Sequence, residues 1–201
     1  MPPRRRPVAQ RKPESFPAAQ VLTGYDASQL LALGRELDQH HFIACELGGA
    51  DLSGLRFEDC LFERCNLASA RLRGTALRNV AFADCKLVGV VFSECDEMLF
   101  EVHFDDCQLR YASFVGRRMG GTRFAQCNLA EADFSDADLC DVVFADCELT
   151  KAVFHHTRLT GADFTTARGF SLDPESNTLR GARFGLAGLP GLVAKYGVVI
   201  E

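Results

Sequence analysis

Residues 124–144 have the sequence FAQCNLAEADFSDADLCDVVF, in which a large apolar residue stands at every fifth position. Phe and Leu alternate at these positions, and the same spacing extends from Phe104 to Phe164. An earlier block with this spacing runs from Phe42 to Phe92. A period of five within a period of twenty predicts a four-sided solenoid, in which one pentapeptide forms each side and like residues stack in successive coils.

Cysteines repeat the longer period of twenty, in two series that are displaced from each other by two residues. At the displacement, Glu97 stands where an apolar residue is expected, so the sequence predicts a bulge or kink from Cys95 to Leu99. The cysteines with this spacing are Cys45, Cys65, Cys85, Cys107, Cys127 and Cys147.

The apolar residue at the centre of each pentapeptide is expected to point inward, together with the small residue two positions before it. A filled interior leaves no room for a ligand pocket, so we expect no cofactor and no metal. Zinc ligands usually stand two to four residues apart, and parallel stacked thiols oppose the torsion of a disulfide. The inward cysteines are therefore interpreted as small buried residues. Cys140 follows Leu139 and is expected to face outward.

The chain is predicted to divide into four parts. Residues 1–22 form a basic, Pro-rich disordered tail, and residues 23–41 form a capping helix over Asp26–His40, with Leu30, Leu33 and Leu37 on one face. Residues 42–184 form the repeats, and residues 185–201 form a helix and an apolar strand. Because the chain has nine cysteines, an odd number, and lacks a secretion signal, we expect a cytoplasmic protein.

Acidic residues are concentrated in one part of the chain. Residues 84–148 contain fourteen Asp and Glu but five Lys and Arg, whereas the whole chain has a net charge of −5. Carboxylates on rigid coils could imitate a line of phosphates, so we expect an acidic face that binds a partner. Its candidate residues are Glu94, Glu101, Asp105, Asp106, Glu131, Asp133, Asp136, Asp138, Asp141, Asp146 and Glu148.

Two features of the acidic zone also fit an ordinary solvated surface that binds no partner. An Asp just before a central residue can accept a hydrogen bond from the turn backbone, so the acidic zone also fits a solvated surface without such a partner. Four bases interrupt this zone and are expected to form ion pairs across neighbouring coils. They are Arg110, Arg117, Arg118 and Arg123.

The triplets of Ala, Asp and an apolar residue resemble the signature of the pentapeptide-repeat family. The resemblance covers about residues 42–184, and it implies an all-β fold, a right-handed quadrilateral β-helix. The ending Leu189–Ile200 and the looser stretch Ala167–Asn177 are similar to the Qnr-type, gyrase-interacting branch. The two long loops of Qnr proteins are missing here. The triplets are Ala50-Asp51-Leu52, Ala132-Asp133-Phe134, Ala137-Asp138-Leu139 and Ala162-Asp163-Phe164.

This resemblance implies a non-enzymatic DNA mimic that binds DNA gyrase or topoisomerase IV through its acidic face, and we expect no direct binding of nucleic acid by the solenoid. No apolar run approaches the roughly 18 residues of a membrane span, so we expect no membrane partner. A scaffold for other proteins, without a topoisomerase role, is the alternative. No nucleophile elbow, phosphate loop or metal motif points to an enzyme. The resemblance also implies a homodimer formed through the C-terminal end. Its candidate contacts are Leu189, Leu192, Val193, Tyr196, Val198 and Ile200.

Overall fold

The computed structural model describes residues 20–199. Nearly all of the predicted basic tail lies outside these residues, as does Ile200. Eleven parallel strands form one sheet, and nine of them stack in sequence along one side of a solenoid. The strands are β1 Gln20–Thr23, β2 Glu36–Asp38, β3 His40–Ile43, β4 Arg56–Glu58, β5 Leu61–Glu63, β6 Ala76–Ala83, β7 Phe100–Asp105, β8 Arg123–Ala125, β9 Val143–Ala145, β10 Asp163–Phe164 and β11 Arg183–Phe184.

The pairing of residues twenty apart gives the solenoid four sides, as the sequence predicts. Phe42 pairs with Phe62 and Phe62 with Phe82, and isolated parallel bridges continue this register on the other sides. Numbered along the chain, side 1 carries Phe42, Phe62, Phe82, Phe104, Phe124, Phe144, Phe164 and Phe184; side 2 carries Leu47, Leu67, Leu87, Leu109, Leu129 and Leu149; side 3 carries Leu52, Leu72, Phe92, Phe114, Phe134 and Phe154; side 4 carries Leu37, Phe57, Leu77, Met119, Leu139, Leu159 and Leu179.

The interior is filled by these central side chains. Phe104 and Phe124 stack with ring centroids 5.1 Å apart, and Phe114 stacks on Phe134 at the same distance. Rings from sides 1 and 3 meet edge to face, as Phe114 and Phe124 do at 5.7 Å. Each such aromatic pair contributes about 0.5–1.5 kcal/mol beyond the burial of its surface. The expected packed core is confirmed.

Each corner of the solenoid is formed by the residue two positions after a central residue. At most corners its backbone has a positive φ, for example 60° at Glu131 and Asp136 and 58° at Asp141. Gly, Asn and Asp tolerate this left-handed conformation better than other residues. Part of the acidity of the chain therefore has a conformational reason, since several corner residues are Asp.

The N-terminal helix is shorter than predicted. Helix α1 spans Ala27–Ala32 and is capped by Asp26, whose side chain accepts a hydrogen bond from the backbone N–H of Gln29. The prediction that the helix reaches His40 is wrong, because Leu37 belongs to β2 and pairs with Phe57 on side 4. The solenoid thus begins with β1, before the helix, and α1 replaces side 3 of the first coil.

The predicted interruption near Glu97 is confirmed. A 3₁₀ turn at Phe92–Glu94 leads into the bulge, and the pairing of β6 with β7 shifts between Leu77 and Val80. Arg117 was expected to form an exposed ion pair, and this prediction is wrong. Its side chain is buried and donates hydrogen bonds to the carbonyls of Ser93 (2.8 Å), Asp96 (2.9 Å) and Cys95.

The C-terminal segment closes the far end of the solenoid. A 3₁₀ turn at Leu186–Gly188, helix α2 at Pro190–Val193 and a 3₁₀ turn at Ala194–Tyr196 follow β11. Lys195 Nζ lies 2.6 Å from Asp173 and 2.7 Å from Glu175, so it ties the segment to the preceding loop. The predicted apolar strand is not formed at Val198 and Val199, and Ile200 lies outside the described residues. Within residues 20–199, neither α-helix has the length and apolar character of a membrane span.

Candidate partner-binding surface

The predicted acidic residues do not share one face. A stretch of twenty residues makes one complete turn, so consecutive acids along the chain are carried around all four sides. The expectation of a single acidic face is therefore wrong. Side 1 and its corner carry Asp105, Asp106 and Asp146; side 2 carries Glu131 and Glu148; side 3 carries Glu94, Asp133 and Asp136; side 4 carries Asp138 and Asp141, with Glu101 after Phe100 at its end.

Several carboxylates are neutralised by a base one coil away. Asp138 lies 2.7 Å from Arg158, and Asp51 and Asp163 pair in the same way with the arginines that stand twenty residues later. Two more of the predicted acids have partners at 3.6 Å. These pairs are Glu131 with Arg110 and Asp136 with His156, the second being an ion pair when His156 is protonated.

Acids that precede a central residue also bond the backbone of their own turn. Asp133 accepts a hydrogen bond from the N–H of Ser135 at 2.9 Å, and Asp163 accepts one from Thr165 at 2.9 Å. This confirms the turn-forming role that the sequence suggested for Asp at this position.

In the described part of the chain, a line of aspartates without a basic partner runs along the corner after side 1. Asp84, Asp106 and Asp146 stand at this corner in successive coils, with Gln126 between the last two, and Asp105 adjoins Asp106. We call these four aspartates the acidic edge. Among residues 20–199 none of them has a basic side chain within ion-pair distance. Arg64, at the same corner one coil earlier, pairs instead with Glu63 at 3.1 Å.

One member of the acidic edge, Asp105, is partly buried. The pKa of Asp105 is raised, chiefly by burial, and the charge of the neighbouring Asp106 raises it further, whereas Arg123 opposes the shift. From Asp84 to Asp146 the edge spans about 14 Å, since coils are spaced by about 4.8 Å. Four carboxylates on these four coils give one charge per about 4.8 Å, a lower density than the one charge per about 3.4 Å of a DNA strand.

Sequence reasoning missed Asp84 as a member of this surface. The signal was present, because Asp84 stands two residues after Phe82, as Asp106 stands two residues after Phe104. Residues that occupy the same place in the pentapeptide on the same side belong to one line, whereas neighbours along the chain do not.

The stacked cysteines act as inward hydrogen-bond donors. Cys65 donates to the carbonyl of Phe42 at 3.3 Å and Cys85 to that of Phe62 at 3.4 Å. Thr157, at the equivalent place on side 4, donates to Phe134 at 3.0 Å. Burial raises the pKa of Cys60 to about 12, so its thiol stays protonated at neutral pH. Cys140 is partly exposed, and no three His, Cys, Asp or Glu in the described chain are placed to hold a metal.

Several residues that were predicted to form dimer contacts expose apolar surface at the C-terminal end. Leu189, Tyr196 and Val198 are 43%, 56% and 55% exposed, and Leu192 and Val193 are partly buried. Two cavities of about 260 and 390 Å³ lie between this segment and the last coils, outside the packed interior.

Comparison with known proteins agrees with the repeat geometry. The model described as "Pentapeptide repeat region" matches residues 55–124, and the model "Pentapeptide repeats (8 copies)" matches residues 127–165. The chain belongs to the pentapeptide-repeat family. No curated protein sequence gives a significant match.

Solved structures of pentapeptide-repeat proteins share this fold. A trypsin-treated variant of QnrB1, described as a plasmid-mediated fluoroquinolone resistance protein, has a TM-score of 0.63 at 18% identity, covering 91% of this chain and 99% of its own. Full-length QnrB1 has a TM-score of 0.61 at 18% identity, covering 90% of this chain and 99% of its own. At this level of identity the likeness establishes the fold.

Proposed function

We propose that this pentapeptide-repeat protein is a non-enzymatic, cytoplasmic interaction protein that binds a type II topoisomerase, DNA gyrase being the leading candidate. The contact is made by the outer surface, because the interior of the coils is filled. The acidic edge is the observation that carries the proposal. It offers a line of carboxylates at about seventy per cent of the charge density of one DNA strand, on a scaffold that does not need to reorganise.

The acidic edge imitates a smaller part of DNA than the sequence suggested. Its four charges lie along about 14 Å, a length over which one DNA strand carries about five phosphates, so the edge resembles part of one strand rather than a full duplex. A basic groove that binds DNA would attract this edge from a distance, so association should weaken as salt is added. Likeness to QnrB1 supports the choice of partner.

A second candidate is a scaffold that holds another protein against a flat side. The ion pairs of Asp51, Asp138 and Asp163 with arginines favour it, since they cancel charge that a DNA mimic would display. In that case neutralising the acidic edge should leave partner binding unchanged.

The test uses purified gyrase in a supercoiling assay, with and without a fluoroquinolone, at micromolar protein and low salt. We expect either inhibition of supercoiling or relief of drug poisoning, and either effect should decline as salt is raised. If neither effect occurs under these conditions, the proposed topoisomerase role is refuted.

We also propose that two chains pair through Leu189–Ile200, which would bury the exposed Leu189, Tyr196 and Val198. Removal of residues 186–201 should give a monomer or an aggregate, as light scattering would detect. A truncated protein with the mass of the intact dimer would refute this pairing.

A further inference from the structure

Side 3 of the second half of the solenoid carries exposed apolar residues that the acidic edge does not explain. Val91, Val115 and Val153 point outward and are 39%, 36% and 44% exposed. Tyr111 lies at the corner before this side and is 52% exposed, and Met98 of the adjoining bulge is 92% exposed. Protein interfaces are enriched in Met and Tyr relative to the rest of the surface.

This surface is fixed in place by the backbone beneath it. Val91, Ser113, Asp133 and Val153 form one parallel ladder across four coils. Ser113 and Asp133 stand between the two valines on this ladder, and the hydroxyls of Ser93 and Ser113 lie 3.2 Å apart. The resulting face is flat and needs little ordering when it meets a partner.

Hydrogen bonds also fix the conformation of the bulge from Cys95 to Leu99. The carboxylate of Asp96 accepts hydrogen bonds from the backbone N–H groups of Met98 (2.9 Å) and Leu99 (3.0 Å). The buried guanidinium of Arg117 bonds the carbonyls before them and lies 5.0 Å from the centre of the Phe100 ring. Met98 is thus presented to solvent from a fixed loop.

The charges of this side indicate the kind of partner. Its outward residues from Val91 to His156 include Glu94, Asp133 and Asp136, whereas the bases nearest to it, Arg110 beside Tyr111 and Lys151, lie at the corner before this side. Arg71 and Arg73 belong to the coil before. A second copy that presented the same side would meet like charge, and so would a nucleic acid.

We infer that side 3 from Val91 to Val153, together with Met98, is a docking surface for a protein whose contact region is apolar in the middle and bordered by Lys or Arg. The inference rests on the proposed function and extends it, because it gives gyrase a second contact area, separate from the acidic edge. The two areas together would orient the rod on the enzyme.

The experiment compares two identical substitutions in binding to purified gyrase, measured by surface plasmon resonance. Val115→Arg places a bulky positive charge in the middle of the surface and should weaken binding at least tenfold. Val88→Arg makes the same change on side 2 and should alter binding less than twofold. Circular dichroism would confirm the fold, and Val153→Arg replaces Val115→Arg if that variant does not fold.

The outcomes separate the two proposals. If wild-type protein binds gyrase and the side 3 variant binds equally well, the docking surface is refuted and the proposed function stands. If the wild-type protein does not bind, the proposed function fails and the docking surface fails with it. A change of oligomeric mass in Val115→Arg would identify side 3 as a contact between copies and would also overturn the inference.

Discussion

The acidic edge and side 4 both carry rows of carboxylates, but the carboxylates of the edge lack basic partners among the described residues, whereas several of those on side 4 are paired with arginines. On side 4, Asp138 faces Arg158 and Glu58 faces Arg78, each pair within 3 Å. On the edge, the residue that stands twenty positions after Asp106 is Gln126, which carries no charge. The position of a neighbouring base and the acid it already pairs with decide whether a carboxylate is free, since Arg64 stands one coil before Asp84 but pairs with Glu63. The net charge of a sequence segment is therefore a poor guide to what a partner meets.

Arginines show the same dependence on position and give the largest expected effect. Arg117 points inward and bonds the carbonyls of the bulge, whereas Arg118 beside it is exposed. We expect Arg117→Met to lower the free energy of unfolding by about 3 kcal/mol, since buried carbonyls would lose their donor. Arg118→Met should change it by less than about 0.5 kcal/mol, as is usual at the surface.

Urea denaturation of the two variants measures both values. Equal stabilities of Arg117→Met and Arg118→Met would show that the guanidinium inside the bulge contributes nothing to the fold.

Neutralising the edge gives the next largest effect. The triple variant with Asp84, Asp106 and Asp146 changed to Asn keeps residues that tolerate a positive φ, so the fold should persist. We expect its affinity for gyrase to fall at least tenfold, or about 1.4 kcal/mol. The matched control changes Asp51, Asp138 and Asp163 to Asn, all of which are paired with arginines, and should lose less than threefold. Similar losses of affinity in the two triple variants would show that binding does not depend on whether a carboxylate is free or paired.

Titration distinguishes the partly buried Asp105 of the acidic edge from the paired Asp163. Burial would raise the pKa of Asp163, but hydrogen bonds from Thr165 and the charge of Arg183 outweigh it, so this pKa is lowered. Asp163 thus stabilises the fold above the pKa it has in the unfolded chain, and this contribution is lost as the pH falls through its folded pKa. Asp105 behaves in the opposite way, because its raised pKa makes the fold more stable as the pH falls.

Carboxyl-carbon NMR should therefore find Asp105 titrating above the ordinary range for Asp and Asp163 below it. Asp106→Asn should lower the pKa of Asp105, and Arg183→Met should raise that of Asp163. An unchanged pKa of Asp105 in Asp106→Asn, or of Asp163 in Arg183→Met, would contradict the cause assigned to that shift.

Removing a base from side 4 gives the smallest effect. Arg158→Met should cost less than about 1 kcal/mol of stability, because an exposed ion pair is worth little. It also frees Asp138, so the affinity for gyrase at low salt should rise up to about twofold by electrostatic attraction. A loss of affinity would mean that Arg158 itself contacts the partner.

The interior of the molecule was predictable from sequence, and much of its exterior was not. A central Phe stacks on the Phe twenty residues away, so spacing alone identifies the sides, and Glu97 marks the bulge. The spacing of Leu30, Leu33 and Leu37 fits a helix. Leu37 also fits the twenty-residue repeat, because it stands twenty residues before Phe57, and in the structure it pairs with Phe57 in a strand. Arg117 occupies an inward position two residues before Met119, where charge is unexpected. The acids were grouped by their order along the chain, although lines on the surface follow the twenty-residue period.

The central claim is that the free carboxylates of the acidic edge attract the topoisomerase. Its most direct test is the dependence of gyrase affinity on salt concentration for wild-type protein and the two triple variants. The account predicts a steep decline for wild type, a distinctly shallower one when Asp84, Asp106 and Asp146 are neutral, and an unchanged one for the control at Asp51, Asp138 and Asp163. Equal salt dependence in all three proteins would contradict it.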